Sequence, residues 1–193
     1  MKHYLKSNTV IQTERLTLRC IRAEDLDDMM ELRSDPANSP FEPDDIWRSQ
    51  QDALDFLQFA SLFYGKKRKR PRWFRFFFAI TETGSPKVIG FCGLGAPDFD
   101  RSITEVFYSL ARAKWGRGYA TEAAKAMVAF GFNEMKLRRI YGFIHPDNIA
   151  SRRVLEKSGL VEIGTLDQIA KDHRYHGNPL FEITRSMFTC EGK

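Results

Sequence analysis

Ser109-Leu-Ala-Arg-Ala-Lys-Trp-Gly-Arg-Gly-Tyr-Ala-Thr-Glu-Ala-Ala124 decides how the rest of the chain is read. An apolar run, Ile103 to Leu110, enters it with the character of a strand, and an alanine-rich pattern at helical spacing leaves it. Between them lies a basic turn containing Gly116 and Gly118, which can reach positive φ and let the backbone come close to a ligand. The first peptide N–H groups of the following helix have no acceptor within it. Together with the helix dipole they make an anion site, and Arg112, Lys114 and Arg117 surround it with positive charge. The expectation is a pyrophosphate gripped by the peptide nitrogens from Arg117 through Thr121.

Two common phosphate motifs are excluded. No Gly-x-x-x-x-Gly-Lys-[Ser/Thr] occurs in the chain, and a dinucleotide fingerprint begun at Gly116 would need a third glycine where Thr121 stands. Gly93 and Gly95 run into Pro97 and Asp98, so no helix opens on them.

What fits is [Arg/Gln]-x-x-Gly-x-[Gly/Ala], met as Arg112-Ala-Lys-Trp-Gly116-Arg-Gly118. This resembles the pyrophosphate loop of the GNAT acetyltransferases. The longer string Trp115-Gly-Arg-Gly-Tyr-Ala-Thr-Glu122-Ala resembles the RimJ/RimL branch, the ribosomal-protein N-terminal acetyltransferases. Downstream, Asn148-Ile-Ala-Ser151-Arg-Arg-Val-Leu-Glu-Lys157-Ser-Gly159-Leu160 is similar to that branch's Asn-x-x-Ser-x-x-(apolar)-Leu-Glu-Lys-x-Gly-Phe, with Leu160 where Phe is usual. The resemblance runs from Thr13 to Leu160, with a weaker echo to Met187.

The resemblance implies a GNAT fold of the α/β (α+β) class: a single mixed, mostly antiparallel twisted sheet of about seven strands with helices on both faces, over one domain spanning residues 1–193. It also implies acetyl-CoA as cosubstrate. Arg112, Trp115, Gly116, Arg117, Gly118, Tyr119, Ala120 and Thr121 would form the pyrophosphate loop. A backbone N–H near Ser109 or Leu110 would face the oxyanion, and Asn148 and Ser151 would approach the pantetheine arm and thiol. Many GNAT enzymes place a tyrosine seven residues after that asparagine as the acid for the leaving thiolate. Leu155 stands there in this chain, which closes that route and leaves Ser151, or a water it holds, as the acid.

Composition sets the outer limits. A chain of 193 residues with 42% hydrophobic residues and 16 Phe can bury a sizeable core in one domain. No apolar run approaches the ~20 residues of a membrane span, and the start, MKHYLKSNTV, lacks an apolar signal core, so a cytoplasmic protein is expected. Cys20, Cys92 and Cys190 are odd in number and widely spaced, which suggests neither a disulfide framework nor a metal site. The histidines His3, His145, His173 and His176 show no metal or triad spacing, so no metal is expected. The net charge of +5 is local: six cations fall within Lys66 to Arg72, and the remainder is close to neutral. That run has three readings, a solvated loop, a contact with an acidic protein or ribosomal RNA, or steering of an acidic substrate.

Around the central motif, Leu16 to Ile21 alternates as a first strand, and Ala23 to Asp28 begins a short helix. A longer helix is expected from about Asp44 to Tyr64. Trp73 to Thr81 and Val88 to Leu94 read as a hairpin, with Phe76 to Ile80 as a buried strand. Ile140 to Ile144 is a strand, Asn148 caps a helix ending before Gly159, and Leu160 to Asp167 and about Pro179 to Met187 are the last strands.

Acetyl transfer from a thioester to an amine needs a neutral amine, a donor for the tetrahedral oxyanion and a proton for the departing thiolate. Freeing a lysine amine of pKa ~10.4 at pH 7 costs roughly 4.6 kcal/mol, against about 1 kcal/mol for an α-amine at ~7.8. Glu105 is the leading general base: it shares a strand face with Phe107 and Ser109, where members of the family often place a catalytic glutamate. Phe41, Trp47, His173, Tyr175 and His176 are weaker acceptor contacts, and His145 could line the site. The reading is N-acetylation of a protein N-terminal α-amine. A small-molecule amine, amino-acid or antibiotic N-acetyltransferase and a non-catalytic module binding coenzyme A or RNA are the alternatives. A monomer and a homodimer both fit.

Overall fold

A computed structural model describes residues 5–65 and 73–190. His3 and the basic run Lys66 to Arg72 lie outside the described residues, as does the side chain of Cys190. Strands β1 (Val10–Gln12), β2 (Leu16–Cys20), β3 (Arg75–Glu82), β4 (Val88–Gly95), β5 (Glu105–Leu110), β6 (Arg139–Phe143), β7 (Val161–Thr165) and β8 (Pro179–Thr184) form one sheet in the order β1-β2-β3-β4-β5-β6-β8-β7. Every neighbouring pair is antiparallel except β5 with β6. The mixed, mostly antiparallel sheet is as expected, with eight strands among the described residues rather than seven. The addition is β1, whose three residues are too short to show an alternation.

The helices are α1 (Leu26–Ser34), α2 (Gln50–Ser61), α3 (Tyr119–Asn133), α4 (Ile149–Lys157) and α5 (Arg185–Cys190). Helix α2 starts later than its apolar spacing suggests. Ser49 and Asp52 form a capping box, with Asp52 also taking the Arg48 N–H at 2.8 Å, and this fixes the first turn there. Trp47 therefore precedes the helix and packs against Phe56. At the other end β8 stops at Thr184, and Met187 lies in α5. Thr184 Oγ1 accepts the Met187 N–H at 3.4 Å, while the Arg185 guanidinium bonds the carbonyls of Phe132 and Leu137.

Strand β3 buries every residue from Phe76 to Thr81. Its side chains alternate between two cores: Phe76, Phe78 and Ile80 join Ala123, Met127 and Phe132 of α3, and Phe77 and Ala79 join Met29, Leu32 and Ala60 from α1 and α2. Gly131 lets α3 sit close to the sheet, because a Cβ there would lie 2.7 Å from Ile140 Cδ1. Gly93 has a packing role as well: a Cβ would lie 2.4 Å from Phe107 Cζ. Cys20 and Cys92 are buried free thiols.

The feature that positions a site is the β5–β6 junction. These parallel strands share one register pair, Glu105 with Tyr141, next to a Tyr141 N–H to Thr104 carbonyl bond of 2.8 Å. Beyond it β6 stays paired with β8 through Phe143, whereas β5 continues to Leu110 with no partner on that side. The sheet splays, and a cleft of about 1380 Å³ opens along the unpaired edge.

Candidate active site

Backbone chemistry builds one half of the cleft. Ala111 N–H bonds Ile89 O at 2.9 Å. Antiparallel ladders alternate bonded and non-bonded pairs, so Ser109 is engaged with Phe91, and the amides of Tyr108 and Leu110 turn away from β4 toward the gap. Of the two expected oxyanion donors, the amide of Leu110 faces the gap, while that of Ser109 is used by the sheet.

After β5 the chain makes one 3-10 turn, Arg112–Lys114, and enters α3 through Gly116 at φ 73° and Gly118 at φ 79°. Gly118 is the N-cap, and the first helical bond runs from Glu122 N–H to Gly118 O at 3.0 Å. Among the described residues the amides from Gly116 through Thr121 find no acceptor. Orphaned amides at a helix start can hold an anion. Both glycines are fixed by conformation and not by crowding, since a Cβ on Gly116 would meet nothing within 4 Å. Trp115 Nε1 donates to Leu110 O at 2.8 Å and pins the loop to the strand end.

The basic side chains of this loop differ in their placement, and of them Lys114 lines the cleft. Lys114 Nζ lies 2.5 Å from Glu82, whose other oxygen takes the Tyr119 hydroxyl at 2.8 Å. These bonds hold the Glu82 carboxyl below the usual range. Arg112 and Arg117 are exposed and do not line the cleft; the backbone N–H of Arg112 bonds Asn38 Oδ1 at 2.7 Å.

The opposing wall is the start of α4. Asn148 Oδ1 accepts the Ser151 N–H at 3.0 Å, an N-cap worth ~1 kcal/mol. Both residues line the cleft. Leu155 is buried against Gly142, so no hydroxyl stands there. A phenol does reach this wall from the other side: Tyr108 of β5 donates its O–H to Ser151 O at 3.2 Å. The strand alternation could have flagged Tyr108, whose side chain must face opposite to Glu105 and Ser109.

Glu105 sits at the root of the splay and is 5% exposed. Arg75 Nη1 lies 2.5 Å from its Oε1 and also donates to Ala96 O at 2.9 Å, with the guanidinium 4.2 Å from the Phe107 ring centroid. Burial pushes the Glu105 carboxyl up to about 7, against the pull of Arg75 and with help from the charges of Glu42 and Asp98.

Around it this end of the cleft is closed by two loops. The segment Ser39 to Asp45 is tied to α1 by Arg33, which donates to Asp45 O at 2.6 Å, and to the β7–β8 loop by Arg174 to Asp45 at 2.9 Å. Phe41 stacks on His145 at 5.3 Å. Glu42 keeps an exposed surface at the cleft mouth, yet burial of its carboxyl and then Asp45 push that carboxyl up. Tyr175 lines the cleft beside it, whereas His173 and His176 do not: His173 packs on Phe99 and Tyr175, and His176 bonds Ile169 O. Trp47 lines the cleft and also packs in the α1–α2 core.

No helix among the described residues is long and apolar enough to cross a membrane. No group of three or more His, Cys, Asp or Glu among them could hold a metal ion.

The comparisons with known proteins agree with this geometry. Residues 15–161 match the model of the acetyltransferase (GNAT) domain. An uncharacterized N-acetyltransferase, p20 of Bacillus licheniformis, is 30% identical over 161 residues, 83% of this chain and 87% of that protein. An acetyltransferase of the GNAT family from Bacillus anthracis superposes with a TM-score of 0.73 at 24% identity, covering 92% of this chain and 99% of that one. RimL, a ribosomal L7/L12 alpha-N-protein acetyltransferase solved in complex with coenzyme A, superposes with a TM-score of 0.72 at 17% identity, covering 91% and 98%. The two structures establish likeness of fold. With a family model matching most of its length, and with a sheet that splays beside an orphaned amide loop, the chain is an acetyltransferase of the GNAT family, whose members use acetyl-CoA.

Proposed function

We propose that this enzyme moves an acetyl group from acetyl-CoA directly to a primary amine, with a protein N-terminal α-amine as the preferred acceptor. The observation that carries this reading is Glu105, a buried carboxylate at the root of the cleft whose carboxyl is pushed up to about 7. A base at that value is within about one unit of an α-amine at ~7.8, so the proton moves at little cost; a lysine at ~10.4 would need several kcal/mol more. In this reading the amides from Gly116 through Thr121 hold the pyrophosphate. Leu110 N–H faces the oxyanion, Glu105 takes the amine proton, and Ser151 Oγ or the Tyr108 phenol returns one to the thiolate. Burial pushes the Tyr108 phenol up, which keeps it protonated and able to donate.

A small amine is the second reading, favoured by the Asp45–Arg174 and Phe41–His145 contacts that roof the acceptor end. Mass-detected acetylation of a panel of free-N-terminal peptides and small amines separates the two. Turnover of peptides above small amines supports the first reading, and the reverse order supports the second. Absence of thiol release with every acceptor would leave only a coenzyme-binding module.

A further inference from the structure

The carbonyl of Arg117 stands between the two positive-φ glycines, and Arg15 holds it: Nη1 donates to Arg117 O at 2.9 Å. A peptide group is planar and trans, so its C=O and N–H point in opposite directions. Gripping Arg117 O from the β1–β2 turn therefore aims the Gly118 N–H the other way, on the residue that lines the cleft.

Arg15 is itself held in place. Glu122, in the first turn of α3, takes Arg15 Nε at 2.8 Å and Nη2 at 2.6 Å on one oxygen. Its other oxygen takes the Arg15 backbone N–H at 2.8 Å and the Thr13 hydroxyl at 2.6 Å. The guanidinium also lies 4.9 Å from the Tyr119 ring centroid. Burial works against the Glu122 charge, yet the bonds from Thr13 and Arg15 hold its carboxyl below the usual range, so it is ionised at neutral pH. A fork fixed on one carboxylate, with its remaining nitrogen on one carbonyl, sets the orientation of a single peptide.

We propose that Arg15 is a positioning residue for the coenzyme: anchored by Glu122, it locks the Arg117–Gly118 peptide so that the Gly118 amide is presented to the diphosphate. The proposal rests on the reading that the amides from Gly116 through Thr121 bind that diphosphate.

The test uses the full chain and two acetyl donors, acetyl-CoA and acetyl-pantetheine, which carries the same thioester and no diphosphate. In Arg15→Met, kcat/KM for acetyl-CoA should fall about tenfold through KM, with kcat within about twofold. Acetyl-pantetheine should be unaffected. Arg15→Lys should not restore the loss, because one ammonium cannot span Glu122 and Arg117 O together. Glu122→Gln should lose affinity in the same donor-specific way and carries the comparison if Arg15→Met does not fold. Equal losses with both donors, or no loss with acetyl-CoA, would overturn the role of Arg15. Gly118→Val separates the two levels. If it weakens acetyl-CoA while Arg15→Met does not, the loop reading stands without Arg15. If neither variant distinguishes the donors, the loop reading fails and the proposal goes with it.

Discussion

In the proposed reading the donor half of the cleft works through backbone and the acceptor half through side chains. On the donor side the groups left free for this role are peptide amides, those of Leu110 and of Gly116 through Thr121, and glycine conformation sets the geometry of the loop. On the acceptor side Glu105, Arg75, Glu42, Asp45, Arg174 and Tyr175 come from four separate stretches of chain and meet only after folding. On that reading the first half should tolerate change in most side chains but not in φ. The second depends on each named group and on the charges around it.

That contrast can be broken in four ways, in descending size of effect. Glu105→Gln removes the base and should lower kcat by roughly 10²- to 10⁴-fold at pH 8 with coenzyme affinity unchanged; steady-state kinetics and calorimetric titration with coenzyme A check both. Gly118→Val forces a β-branched residue to φ 79°. The strain should cost the loop about 1–3 kcal/mol, a loss of roughly 10- to 100-fold in coenzyme affinity with acceptor KM preserved. Arg75→Met takes away the cation that holds the Glu105 carboxyl down while burial remains. The base then ionises at higher pH, so the rate at pH 7 should drop about tenfold and recover by pH 9. Asp45→Asn loosens the tie to Arg174, an ion pair about a third exposed on each side, and should raise acceptor KM about threefold without touching coenzyme binding. If Gly118→Val changed acceptor KM, or Asp45→Asn changed coenzyme affinity, the division between the halves would not hold.

The same division decided what was legible in the chain. The loop could be read because its chemistry lies in consecutive residues, Gly116 and Gly118 after a strand and before a helix. The cap at Asn148 and the buried run Phe76 to Ile80 are equally local. Arg75 has one signal in the sequence, a charge at the head of a run that buries its next six residues, and its partner Glu105 lies thirty positions away. The role of Glu122 is not legible in the motif, because its partners Thr13 and Arg15 lie more than a hundred positions away. The partner of Lys114 is likewise distant in sequence: folding places Glu82 beside it.

The pH dependence of kcat/KM for a free-N-terminal peptide, measured side by side for the wild type and Glu105→Gln, tests the proposed chemistry most directly. Glu105 must be ionised to accept the amine proton, so besides the titration of the free amine near ~7.8, which both enzymes share, the wild-type profile should carry a rise with pH through about 7. In Glu105→Gln that rise should vanish and leave only the titration of the amine near ~7.8 at a much lower rate. Two profiles of the same shape and similar height would contradict Glu105 as the base.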